Sequence, residues 1–128
     1  FYACAGGPTA FVESRCGVGQ IIVVSEFRCY TEMMVQEIGF AGDEEDPTEY
    51  ESIMRELFVF PGSEFYEYSS RIASHLMGSD LIHGLTYPSI ASNSSSQNLA
   101  LKTSFVDASL HFVNATVRRQ LPLCTDDN

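Results

Sequence analysis

The chain is poor in basic residues, has no long apolar run and carries no nucleotide-binding glycine loop, and each shortage removes a class of function. Seven Lys and Arg stand against seventeen Asp and Glu, a formal charge of −10. A nucleic-acid backbone is a poor match for that field, so no direct nucleic-acid partner is expected, although a local pocket can still hold a small anion. The longest aliphatic run is Ile21-Ile22-Val23-Val24, far short of the ~18 residues of a membrane-spanning helix, and it reads as a buried central strand. Neither GxGxxG nor GxxxxGK[ST] occurs, so any nucleotide site must be built another way. Cys4, Cys16, Cys29 and Cys124 form no CxxC pair and no Cys/His zinc spacing. Their density is far below that of a disulfide scaffold, so reduced thiols and a cytoplasmic location are expected. His75, His83 and His111 share no ligand spacing, and no metal is expected.

What is present suits one domain. The 128 residues are 45% apolar, enough for a single core and too few for two. Residues 1–64 hold twelve acids and three bases, against five and four in 65–128, so the first half carries the charge imbalance. The chain opens at Phe1, without Met or a signal-peptide pattern and directly in a strand-like segment; a missing N-terminal portion is expected.

Strands are expected over 1–4, 20–29, 33–38, 85–87, 98–101 and 111–117, and helices over 9–15, 47–59, 63–77 and 104–110. Thr9, Asp46 and Ser63 are the expected N-caps, with Pro47 in the first turn. Phe65, Tyr68, Ile72 and Leu76 form an apolar stripe on the third helix, and Pro88 should end its strand because it lacks a donor. Phe58, Phe60, Phe65 and Tyr66 are expected to pack between the two long helices. Asp43-Glu44-Glu45-Asp46 lacks the alternating oxygens of a calcium loop and reads as a solvated turn. A serine-rich loop follows over 92–97, and 125–128 should fray. The order strand, helix, strand, strand, helix, helix, strand, strand, helix, strand describes an α+β domain with a mixed sheet and short helices.

Three segments then stand out in order: Phe1-Tyr2-Ala3 with Thr9-Ala10-Phe11-Val12-Glu13-Ser14-Arg15, Gly84-Leu85-Thr86-Tyr87-Pro88-Ser89, and Asn98-Leu99-Ala100-Leu101. Together, with Tyr68 and Ile72-Ala73 between them, they resemble the RES domain, the toxin half of RES/Xre toxin–antitoxin modules. The resemblance covers nearly all of residues 1–128. It implies an ADP-ribosyltransferase-like RES fold and an activity on NAD as substrate, with no separate cofactor, in which the nicotinamide–ribose bond is cleaved and the ADP-ribosyl group passes to phosphate, water or a protein. It also implies an Xre-like antitoxin as partner. Residue by residue, Glu13 corresponds to the catalytic acid, Tyr2 to the aromatic at the nicotinamide end and Ser89 to the polar site residue. The family's arginine precedes its FYA strand, upstream of Phe1. Without it, a catalytically inactive binding or interaction domain of the same fold is the alternative.

The residue types suit this chemistry. Breaking an N-glycosidic bond to nicotinamide builds positive charge on the ribose, and a carboxylate such as Glu13 stabilises that charge as it develops. Tyr2 offers a ring to stack on a planar base and a hydroxyl to donate. Ser89, at a strand end, offers a hydroxyl to ribose or phosphate oxygens, and Arg15 is a candidate phosphate contact.

Overall fold

The computed structural model of the protein describes residues 1–38, 48–60, 62–89 and 96–121. Along it run β1 (Tyr2–Cys4), α1 (Gly7–Glu13), β2 (Ile21–Cys29), β3 (Val35–Glu37), α2 (Glu49–Val59), α3 (Tyr66–Met77), β4 (Gly84–Pro88), β5 (Gln97–Leu101), α4 (Thr103–Ser109) and β6 (Leu110–Arg119). This is the expected order, and the chain is a mixed α+β protein. The acidic run 43–46 with Asp46 as cap, Pro47, Pro61, the serine-rich stretch 92–95, Cys124 and the tail 125–128 lie outside the described residues.

Four strands form one sheet in the order β1-β5-β4-β3, antiparallel except for the parallel β3/β4 pair. The helices α2 and α3 cover one face. There Ile38, Met54 and Leu85 are buried, with Phe58, Ile72, Leu76 and Tyr87 packed against them. At Gly84, paired with Leu101, β4 lies close against β5. A Cβ at that position would strike the Ala100 carbonyl oxygen and come within 2.7 Å of Leu101 Cδ2. Gly84→Ala is therefore expected to cost about 1–3 kcal/mol through strand displacement. A thermal melt showing an unchanged midpoint would contradict that packing.

Several local expectations need correction. The run at Ile21 to Val24 is not in a central strand. Among the described residues β2 pairs only with β6, as a two-stranded ribbon with a bulge between Glu26 and Phe27, and Ile21 and Val23 are exposed. β-branched residues favour pairing in extended conformation whether or not a second layer covers them. The first helix starts at Gly7, with Gly6 before it at φ 131, a conformation open to glycine, and Thr9 lies buried inside the helix rather than capping it. Helix α2 is capped by Thr48: its hydroxyl accepts from Glu51 N (3.2 Å), and Glu51 Oε2 accepts from Thr48 N (2.8 Å). Such a reciprocal box stabilises a helix start by about 1 kcal/mol. The Thr48 backbone and hydroxyl donors hold the Glu51 carboxyl below its ordinary range.

No side chain caps α3: its N-cap is Phe65, and Ser63 contributes only its carbonyl, which accepts from Tyr66 N at 3.1 Å. Within the expected stripe Tyr68 is exposed, whereas Ile72 and Leu76 face the core. Phe60 and Phe65 do pack together, ring centroids 4.8 Å apart, but Phe58 turns to Tyr87 (5.9 Å) and Tyr66 is exposed. Pro88 belongs to β4, opposite Gln97. Ile38 N donates to Thr86 O, so this edge of β4 faces β3 at Thr86 and again two residues on. By Pro88 the paired part of β3 has ended at Glu37, and the missing donor costs the sheet nothing.

Candidate active site

Strand register gathers the site. Tyr2 lies opposite Ala100, Cys4 opposite Asn98, and Tyr87 opposite Asn98 from the other side. Side chains of paired residues share a face, so Tyr2, Cys4, Asn98 and Tyr87 stand on one face at the β1 end of the sheet. Helix α1 ends beside them and delivers Glu13, which is half-buried. Arg15 follows at φ 50, turning the chain away from the helix.

Two buried donors converge on one oxygen of Glu13. Ser89 Oγ donates to Glu13 Oε1, and Asn98 Nδ2 donates to the same atom at 2.8 Å. Ser89 is 0% exposed and Asn98 2%. Burial without a partner would cost either group about 1–3 kcal/mol, so the carboxylate is anchored as firmly as they are. Cys4 Sγ donates to Asn98 Oδ1 at 3.3 Å, which fixes the amide with its NH2 group toward Glu13. Ser89 N also donates to Ser96 O at 2.8 Å, tying the end of β4 to the start of β5.

The groups around this carboxylate are held neutral. Burial raises the Tyr87 phenol far above its ordinary value, assisted by its hydrogen bond with Tyr2 and by the nearby Glu13 charge. Tyr2 is also raised, chiefly by burial; its bond with Tyr87 opposes the shift and Glu13 adds to it. Burial and then Glu13 push the Cys4 thiol up. Glu13 is thus bordered by phenol and thiol groups that keep their protons, an arrangement suited to meeting a cationic centre.

Two clefts open beside it. One, of about 440 Å³, lies on the face of Asn98 and Tyr87 and is walled by Phe58, Phe60 and Tyr66, with Arg15 at it. The other, of about 870 Å³, lies on the opposite face with Leu99 and Leu101, beneath the β2–β6 ribbon. Tyr2 and Glu13, at the edge strand and the adjoining helix, line both. Tyr2 is 54% exposed and its ring lies 6.3 Å from that of Tyr87.

The sequence candidates thus divide. Glu13 and Tyr2 reach open space. Ser89 is fully enclosed, so its hydroxyl acts on a ligand through Glu13. Arg15 is exposed at the smaller cleft and has no ion-pair partner among the described residues. Tyr87 and Asn98 stand in the segments that carry the resemblance, but neither they nor Cys4 were given a site role from sequence. The available signal was position: Asn98 is a polar residue directly before the apolar Leu99-Ala100-Leu101 of its strand, and Tyr87 precedes Pro88-Ser89.

Among the described residues no group of three or more His, Cys, Asp or Glu side chains is placed to hold a metal ion. His83 instead accepts a hydrogen bond from Met34 N at 2.9 Å and stacks on Phe105 (4.2 Å), and the His111 ring lies against Tyr30 (5.4 Å). No helix among the described residues is long and apolar enough to cross a membrane. No family model, no curated protein and no solved structure matches the chain.

Proposed function

We propose that the chain is an NAD-consuming domain of the RES type, with an ADP-ribosyltransferase-like fold, that cleaves the nicotinamide–ribose bond. What supports this reading is one observation: Glu13, Ser89 and Asn98 come from the three segments that carry the resemblance, and they meet at a single carboxylate. In the reaction the bond between ribose C1′ and the pyridinium nitrogen breaks, its electron pair leaves with neutral nicotinamide, and the positive charge passes to the ribose. Glu13 stabilises that charge in place of water. Ser89 and Asn98 keep the carboxylate at the cleft junction, and Tyr2 borders the departing ring. Water, phosphate or a protein side chain then takes the ADP-ribosyl group. On this reading the protein is a cytoplasmic toxin restrained by an Xre-like antitoxin. Exposed Glu49 and Glu56 on α2 supply charge that would steer a basic partner.

Incubating the protein with NAD, with and without phosphate, is expected to release free nicotinamide, resolved by chromatography. Intact NAD in both conditions, with the protein folded, would overturn the enzymatic reading. If ADP-ribose bound under the same conditions, the inactive binding domain would replace it.

A further inference from the structure

The larger cleft contains a cation that the reading above leaves unused. On β6, Asn114, Thr116 and Arg118 all line this cleft. They alternate along the strand, so they form a row on one face, with about 13 Å from the first to the last at ~3.3 Å per residue. Arg118 is the only Lys or Arg among the described residues of the cleft, and no described acid forms an ion pair with it. Glu26, the ribbon's acid in the cleft, is already engaged: Arg28 lies 3.5 Å from it, and Asn114 Nδ2 donates to it at 3.3 Å. In a chain of net charge −10, an exposed guanidinium that lines a cleft and forms no ion pair among the described residues is the local exception an anion needs.

The two clefts divide a dinucleotide by chemistry. The smaller is walled by the rings of Phe58, Phe60, Tyr66 and Tyr87 and suits a planar base. The larger is roomier and carries the polar row ending in Arg118. Tyr2 and Glu13 stand where the two meet. We propose that Arg118, in line with Thr116 on the same strand face, forms an anion subsite for the diphosphate of a dinucleotide whose glycosidic bond lies at Glu13. This rests on the NAD reading for its ligand class. It adds the assignment of the nicotinamide to the α2/α3 side and of the diphosphate to the ribbon side.

Calorimetric titration of the protein with ADP and with adenosine tests it. Arg118→Gln is expected to weaken ADP binding about tenfold, the scale of losing one charge-assisted contact, and to leave adenosine binding unchanged. Arg119→Gln removes the same charge from the next position of the same strand, on the opposite face and outside the cleft, and should leave ADP binding within about twofold. ADP affinity that is equal in Arg118→Gln and the unaltered protein overturns the subsite. So does a loss that appears in Arg15→Gln instead, or an unaltered protein that does not bind ADP. Nicotinamide release from NAD by the same preparation judges the enzymatic reading separately, since turnover with an ADP affinity indifferent to Arg118 removes only the subsite.

Discussion

Glu13→Gln is expected to lower NAD turnover by about 100-fold or more while leaving the fold almost untouched. Both anchoring bonds end on Oε1. A glutamine that keeps its carbonyl oxygen there continues to accept from Ser89 and Asn98, and only the negative charge is lost. Removing one electrostatic stabiliser of a developing charge costs about 2.7–4 kcal/mol of barrier. Steady-state kinetics should show the loss in kcat, with KM little changed, because the charge it opposes exists mainly in the transition state. Glu13→Ala gives the contrast. It strands two buried donors and should also lower the melting midpoint, by the cost of about 1–3 kcal/mol per unpaired group. Full activity in Glu13→Gln would remove this carboxylate from the mechanism.

Asn98→Asp should be more damaging to stability than a change of one atom suggests. The amide nitrogen that donates to Glu13 at 2.8 Å becomes an oxygen facing an oxygen, at a position 2% exposed. Two carboxyls so placed cannot both ionise, so one must hold a proton at a pH where it would be free in the unfolded chain. Its folded pKa is raised above an unfolded value of about 3.9. Below about pH 4 both states are protonated and no penalty applies. As pH rises the folded state must either keep the proton or bear the repulsion, and the penalty grows toward about 3–5 kcal/mol, the scale of an uncompensated buried charge. Melting curves from pH 4 to pH 8 should therefore diverge from the unaltered protein with rising pH. Asn98→Leu, which adds no charge, should be displaced by a nearly constant amount. Parallel curves for Asn98→Asp would mean that the introduced carboxyl does not face Glu13.

The sequence was most readable where local chemistry decides. Local patterns such as the β-branched run from Ile21 and the apolar periodicity of Ile72 and Leu76 put the ten elements of the described residues in their order. What a strand pairs with was not readable, because β2 meets β6 across some ninety residues and nothing in Ile21 to Val24 distinguishes a covered strand from an open ribbon. Helix starts failed for a related reason. At α1 and α3 no side chain caps the helix, so Thr9 and Ser63 lose to backbone geometry, and at α2 the cap falls to Thr48 because Glu51 completes the box. Within the site, Glu13 was found through a resemblance rather than through spacing, since one glutamate on a short helix carries no signal. Asn98 escaped notice because its role depends on register: one residue along β5 the side chain would point to the opposite face.

The β2–β6 ribbon also bears on how the molecule behaves in a concentrated solution. With only two strands, each has an outer edge whose backbone donors and acceptors find no strand partner among the described residues, and exposed Ile21, Val23, Phe112 and Val117 lie along it. Such edges are templates for edge-to-edge assembly, which proteins oppose with charge. Here the ribbon itself carries little negative charge, so colloidal repulsion from the acidic remainder does the opposing. That protection is a property of the whole molecule's titration, and it vanishes as the medium approaches the sequence isoelectric point near 4.5.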